Sequence, residues 1–193
     1  MLLHAACGVP GCHRPAVFLL ETCLAHAADP RGYAGRVAAA LAQSAKLADL
    51  NLEGLEAEDL DFRGKRLHCL LLSRARLRGA RFDGAHIRLL YLDFAALADC
   101  SFEGCKAHCL VLGGAELERC SFRGADLLRC NFAGVRCREC VFDGSDLYAS
   151  RFTSAQVQQC SFRDCNLKQV RFEGCSLSGV DFHASNTEEA YFQ

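Results

Sequence analysis

A five-residue periodicity runs from Leu47 to Phe192 and constrains the fold of this chain more than any other feature. Counted from position 47, every fifth residue is Leu at 13 and Phe at 11 of 30 positions. The residue two places before each of them is Ala, Cys, Ser or Val at 23 of the 30. Two inward positions in five fit neither a helix of period 3.6 nor a strand of period 2. A short extended segment followed by a corner satisfies the pattern.

Residues 20 positions apart resemble one another, which indicates that four such segments close one coil. One unbroken phenylalanine column has this spacing: Phe62, Phe82, Phe102, Phe122, Phe142, Phe162 and Phe182. A second column follows in the later coils: Phe132, Phe152, Phe172 and Phe192. Stacked coils repeat at the β spacing of about 4.8 Å, so these rings should lie above one another. The sequence therefore predicts an all-β solenoid.

The repeat unit resembles that of the pentapeptide-repeat family, whose pattern is a small residue, Asp or Asn, Leu or Phe, and two variable positions. Typical units are Ala125-Asp126-Leu127-Leu128-Arg129 and Cys130-Asn131-Phe132-Ala133-Gly134. The resemblance implies a right-handed quadrilateral β-helix of pentapeptide repeats over residues 47–193. It also implies about seven coils.

Residues 1–31 lie outside the repeat and carry a pattern typical of a small zinc module. Cysteine and histidine follow one another with the spacing C-x4-C-x10-C-x2-H at Cys7, Cys12, Cys23 and His26. A tetrahedral Cys3His site closed by four protein ligands is structural rather than catalytic. A segment this small buries too little apolar area to hold itself together, so we expect the zinc ion to form its core.

Two other interpretations of the module stay open at this stage. His4 and His13 compete with His26 as the fourth ligand, and the four residues are unrelated if the module binds no metal.

Residues 32–46 are rich in alanine and predict a helix. We expect this helix to cover the first coil, because the open end of a solenoid exposes apolar side chains and unpaired backbone.

An apolar patch is predicted on one side of the first coils, where Asp or Asn is usual at the outward position. Its residues are Leu71, Leu89, Tyr91, Phe94 and Val111, with Cys69 and Cys109 beside them. A contiguous apolar surface of this kind marks an interaction site or is covered within the chain. Either the N-terminal module folds over the patch with Phe18, Leu19 and Leu20, or the patch binds another protein.

The last repeat predicts a second contact surface. The five-residue pattern continues to Phe192 with no covering helix after it. Because an uncovered solenoid end invites pairing with another copy, we expect a homodimer joined through the C-terminal coil.

Composition limits the cellular setting and the partners. The net charge is −1, and no stretch is apolar enough for a transmembrane helix, so we expect neither nucleic acid nor a membrane as a direct partner. Most of the 14 cysteines stand at inward positions, where they act as small apolar residues in a reducing compartment. The N-terminus lacks the basic segment of a secretory signal. We expect a bacterial, cytoplasmic protein.

The sequence also limits the functions that this chain can have. The sequence has no phosphate loop, nucleophile elbow or HExxH pair, and a rod filled with Leu and Phe has no cavity for catalysis. The first hypothesis is therefore a non-enzymatic protein-binding scaffold. The resemblance implies an alternative, since some family members mimic DNA, bind DNA gyrase and confer resistance to gyrase-directed drugs or toxins. A zinc-organised nucleic-acid adaptor is a third hypothesis, but three arginines near the cysteines give little phosphate affinity.

Overall fold

The protein is a parallel β-solenoid of about seven coils with a small module on its N-terminal end. The structure, a computed structural model, describes residues 5–192, apart from the side chain of Arg31. Strands 20 residues apart pair in parallel, with Lys46 opposite Arg66 and Glu56 opposite Arg76. The solenoid predicted from the five-residue pattern is confirmed. His4 lies outside the described residues.

Two parallel sheets form opposite sides of the rod, half a coil apart. The four-stranded sheet contains β1, β3, β5 and β7 in this order, with bounds Lys46–Asn51, Arg66–Leu71, His86–Tyr91 and Lys106–Val111. The seven-stranded sheet runs β2, β4, β6, β8, β9, β10 and β11, with bounds Glu56–Glu58, Arg76–Arg78, Ala96–Ala98, Glu116–Glu118, Arg136–Arg138, Gln156–Gln158 and Ser176–Ser178. Isolated parallel bridges such as Ser101–Ser121 extend the stacking outside these strands.

Both phenylalanine columns form inside the rod. Ring centroids within the first column lie 4.5 Å apart at Phe62–Phe82 and 4.7 Å apart at Phe122–Phe142. The columns also contact one another edge to face, with 6.0 Å between the ring centroids of Phe122 and Phe132. Stacked and edge-to-face rings are the two favoured geometries of aromatic pairs, so each ring in the middle coils has partners in both.

The residue at each corner has a left-handed backbone. Within the six-residue strands of the four-stranded sheet this residue is Asp49, Cys69, Leu89 or Cys109, with φ between 55° and 64°. Glycine adopts this region at no steric cost, whereas a bulky residue does so rarely. Corners occupied by large side chains therefore require a separate explanation.

One α-helix, α1, covers the first coil and spans Pro30–Ala42, whereas the sequence predicted a helix over 32–46. It begins earlier because Asp29 is the N-cap: its carboxylate accepts a hydrogen bond of 2.9 Å from the Gly32 N–H, and proline is well suited to the first helical position. It ends earlier because Lys46 already belongs to β1. Its buried face consists of Tyr33, Val37 and Leu41.

No helix within residues 5–192 is long and apolar enough to cross a bilayer.

Candidate metal centre and apolar surface

Four predicted ligands come together in the N-terminal module. The ligand atoms of Cys7, Cys12, Cys23 and His26 all lie within 4.8 Å of one another. His13 is not part of this group. The group could hold a metal ion.

Distances within the group match a tetrahedral site. Cys12 Sγ lies 3.9 Å from Cys23 Sγ, and His26 Nδ1 lies 3.4 Å from Cys7 Sγ and 3.6 Å from Cys23 Sγ. Metal–ligand bonds of zinc place two sulfurs about 3.8 Å apart and a sulfur and a nitrogen about 3.6 Å apart in a tetrahedron. These three distances are therefore the ones expected between ligands of one such ion.

Two short loops position these ligands. In the first loop the Cys12 N–H donates to the Val9 carbonyl at 3.1 Å, and Gly11 has a φ of 79°. The second is a 3-10 helix at Leu24–His26, in which the His26 N–H donates to the Cys23 carbonyl at 2.9 Å. Tight turns of this kind bring ligands that are close in sequence onto one ion.

The surroundings of the thiols favour deprotonation at two of the three. A backbone hydrogen bond from Cys23 lowers the pKa of Cys7, and a backbone hydrogen bond from Arg14, together with its side chain, lowers the pKa of Cys12. Burial raises the pKa of Cys23, which is 4% exposed. Amide donors stabilise thiolates, and thiolates are the form that binds metal.

The module is joined to the first coil by hydrogen bonds. Asn51 is 2% exposed, and its Nδ2 donates to the Ala16 carbonyl at 2.8 Å, while the Phe18 N–H donates to the Asn51 carbonyl at 2.7 Å. The turn beside this junction copies a solenoid corner, because the Leu20 N–H donates to the Val17 carbonyl and Leu19 has a φ of 64°. The module thus adds part of a rung to the open end of the rod.

The predicted apolar patch lies on the adjacent coils and is partly open to solvent. Leu71, Leu89, Tyr91 and Val111 are half-buried, and Phe94 is 62% exposed. Cys109 is exposed, but Cys69 is buried, so Cys69 does not belong to this surface.

Phe94 occupies a corner that favours glycine. Its φ is 56°, and the corresponding corners in four other coils are Gly54, Gly114, Gly134 and Gly174. Its ring lies directly on the backbone of Gly114, where an added Cβ would come within 2.8 Å of the ring. Arg74, in the coil before, places its guanidinium carbon 5.5 Å from the ring centroid. An exposed aromatic ring held in a strained conformation points to an interaction site.

The apolar patch was predictable because Asp and Asn are missing from the outward position of the first coils. The left-handed backbone of Phe94 was not predicted. The sequence contains a signal for it, because position 94 falls in a column in which four of seven residues are glycine. The docking role of Asn51 was missed as well, although a lone Asn precedes Leu71, Tyr91 and Val111 in its column.

Comparisons with known proteins agree with this architecture. The family model described as pentapeptide repeat region matches residues 115–192. The repeat itself continues back to the first coil in both sequence and structure. Over residues 115–192 the chain is similar to the pentapeptide-repeat family. No curated protein sequence matches it.

Solved structures similar to this chain include pentapeptide-repeat proteins and a drug-resistance protein. HetL, involved in heterocyst differentiation regulation in the cyanobacterium Nostoc, shares 18% identity over 76% of this chain and 84% of its own, with a TM-score of 0.28. Rfr23 of the cyanobacterium Cyanothece shares 15% identity over 79% and 95%, with a TM-score of 0.37. QnrB1, a plasmid-mediated fluoroquinolone resistance protein, shares 16% over 71% and 90%, with a TM-score of 0.26. These low scores carry no information about the function of this chain.

Proposed function

We propose that the protein is a non-enzymatic protein-binding scaffold whose apolar patch, centred on Phe94, contacts the partner. The observation that carries this proposal is the exposed ring of Phe94 at a corner suited to glycine. A left-handed backbone costs a bulky residue on the order of 1 kcal/mol, and the exposed ring recovers only part of this by packing on Gly114. A partner that buries the ring supplies the rest.

The chemistry around Phe94 defines what such a partner presents. Leu89, Tyr91 and Val111 extend the apolar surface, and the Arg74 guanidinium lies over one edge of the ring. A matching surface therefore carries an apolar side chain for the patch and a carboxylate for Arg74. Aromatic and arginine residues are the side chains that dominate binding energy in protein interfaces.

Site-specific photocrosslinking tests this function. A photoreactive phenylalanine analogue is placed at Phe94 and, as a matched control, at Ser154, which is exposed in the same corner column and has a φ of 59°. We expect a discrete crosslinked protein from position 94 alone, lost when Leu89→Asp and Val111→Asp are added. Equal crosslinking from both positions, or none from either, contradicts the proposal.

A structural zinc ion completes the scaffold in this proposal, bound by Cys7, Cys12, Cys23 and His26. Its support is the tetrahedral spacing of the four ligand atoms. The ion would fix the two loops of the module, and the module in turn covers the backbone of the first coil at Asn51. A closed set of four ligands leaves no position for a substrate, in keeping with a structural role.

Metal analysis tests the zinc centre independently of the partner. We expect about one zinc per chain in the purified protein and in Cys109→Ser, and loss of zinc in the double variant Cys7→Ser, Cys23→Ser. Amide exchange within residues 5–27 should increase in that variant, while the middle coils keep their protection. Wild-type protein without bound zinc after refolding with the metal would overturn this part.

Three further predictions from the sequence, namely gyrase binding, dimerisation through the C-terminal coil and a bacterial, cytoplasmic setting, have no particular contact in their favour. Binding to DNA gyrase requires a DNA-like acidic surface, whereas acidic and basic side chains alternate along this rod and pair as Glu56 with Arg76 and Glu116 with Arg136. Dimerisation through the C-terminal coil stays a prediction, with Leu177, Tyr191 and Phe192 exposed there. A bacterial, cytoplasmic setting stays a prediction as well.

A further inference from the structure

The seven-stranded sheet has a repeated symmetry that the fold does not require. Each strand has three residues, of which the middle one points to the interior and the two flanking ones point outward. In all seven strands the two flanking residues are identical, as the sequences EAE, RLR, ALA, ELE, RCR, QVQ and SLS show. On the opposite side of the rod the equivalent residues differ, for example Arg66 and His68. We call the seven-stranded side the paired-row face.

The paired-row face is a long groove with two matching walls. Its volume is about 830 Å³, and its floor includes Leu77, Leu97 and Leu117. The walls carry the charge order Glu, Arg, Ala, Glu, Arg over the first five coils, at Glu56, Arg76, Ala96, Glu116 and Arg136 in one wall and Glu58, Arg78, Ala98, Glu118 and Arg138 in the other. Parallel pairing places successive members about 4.8 Å apart.

This charge order is complementary to its own reverse. Read backwards it becomes Arg, Glu, Ala, Arg, Glu, so every charge meets its opposite and alanine meets alanine. We propose that the paired-row face binds a second copy of this chain, antiparallel, about a two-fold axis that passes across Leu97. Glu56 then faces Arg136 of the second copy, and Arg76 faces Glu116 of the second copy.

The two-fold geometry also accommodates two like walls. An axis in the interface and perpendicular to the rod places each wall against the same wall of the other copy. Each wall must therefore be self-complementary by itself, and two identical walls satisfy this condition. The small side chains of Ala96 and Ala98 permit close approach at the axis, as an isologous contact requires.

Ion pairs within one chain account for only part of the pattern. In the first wall Arg76 Nε lies 3.6 Å from Glu56 Oε1, and Arg136 pairs with Glu116. In the second wall Arg78 forms an ion pair with Asp99, outside the wall, and Arg138 forms one with Glu139. Internal pairing explains a glutamate beside an arginine, but it does not require the same residue on both flanks of every strand.

The internal pairs are weak enough to be exchanged. The side chains of Arg76 and Glu56 are 76% and 73% exposed, and pairs so exposed contribute little to stability because water and salt screen them. Five coils span only about 20 Å, which gives an interface smaller than the usual stable one. We therefore expect a dimer that forms at high protein concentration and dissociates as salt screens its charges.

Charge exchange between two variants tests the arrangement by sedimentation at low salt. One variant carries Glu56→Arg and Glu58→Arg, and the other carries Arg136→Glu and Arg138→Glu. Each alone places like charges opposite one another, so its dimer dissociation constant should rise at least about tenfold. An equimolar mixture of the two restores opposite charges at both ends and should recover the dimer, as should one chain that carries all four changes.

The matched control reverses two basic residues on the opposite side of the rod, Arg88→Glu and Lys106→Glu, and should leave the dimer unchanged. Circular dichroism verifies that each variant is folded. A wild-type chain that stays monomeric at low salt overturns the proposal. So does a dimer that persists in both charge variants, which is the result expected for contact through the C-terminal coil.

Discussion

The rod and the N-terminal module are stabilised by different kinds of interaction. In the rod each coil buries its Leu, Phe and small residues against the coils on both sides, so that stability accumulates from many equivalent contacts. Among residues 5–27 of the module, Cys7, Ala16, Val17 and Cys23 are the only buried apolar residues, and the four ligand atoms lie within 4.8 Å of one another. Damage to the rod should therefore be graded by position, whereas damage to the module should be all or none.

The largest effect is expected from a cavity in the middle of the rod. Phe122→Ala removes a fully buried ring that stacks on Phe102 and Phe142 at 4.8 Å and 4.7 Å. The free energy of unfolding should fall by about 3–5 kcal/mol, measured by urea denaturation. The same change at Phe192, which is 45% exposed in the last coil, should cost about 1 kcal/mol or less. Equal losses at both positions would contradict additive stacking.

Alkaline pH should weaken the rod through its buried thiols. Burial raises the pKa of Cys105 and of Cys130 to about 12, from an ordinary value of 9.0. The thiols stay protonated in the folded state but ionise near pH 9 when unfolded, so their stabilising effect is complete below pH 9 and is lost between pH 9 and 12. From pH 9 to pH 10 each thiol should lower the free energy of unfolding by up to about 1.4 kcal/mol.

Urea denaturation at the two pH values measures this loss, and Cys105→Ala is its control. Alanine is the residue of the same column at Ala85 and Ala125, so the substitution should be tolerated. It should remove the contribution of one thiol, up to about 1.4 kcal/mol, from the loss of unfolding free energy between pH 9 and pH 10. An unchanged dependence would show that Cys105 does not contribute.

The most localised effect is expected at the junction of the two regions. Asn51→Ala removes the hydrogen bond to the Ala16 carbonyl and leaves that carbonyl without its partner, at a cost of about 1–3 kcal/mol to the docking of the module. Asn131→Ala is the matched change, because Asn131 stands in the same column and accepts a bond from the Ala133 N–H, as Asn51 does from the Glu53 N–H. Amide exchange in residues 5–27 should rise for Asn51→Ala alone.

The sequence predicted the rod well because its periodicity is both a local and a long-range signal. A residue such as Phe82 specifies its own inward direction and, by its 20-residue spacing, its neighbours Phe62 and Phe102. The module offered no such redundancy. Its ligands could be listed from their spacing, but the contact of Asn51 with Ala16 joins residues 35 apart that share no pattern.

Two local signals were present but misread. Asp29 followed by Pro30 is the start of α1, with the N-cap and the first helical residue in order, whereas the sequence predicted a helix that begins at residue 32. Cys69 was assigned to the surface from its place in the repeat, but it is buried within β3 of the four-stranded sheet. Position in a repeat gives the direction of a side chain, whereas burial also depends on what packs outside it.

The turn at Val17–Leu20 has a consequence for the order in which the chain folds during synthesis. Residues 5–27 leave the ribosome before Asn51, so the segment that forms the Val17–Leu20 turn is synthesised before the first coil. That coil can then add to a surface already provided with a donor, the Phe18 N–H. Each later coil adds in the same direction, so the growing rod at any moment has one open edge instead of two.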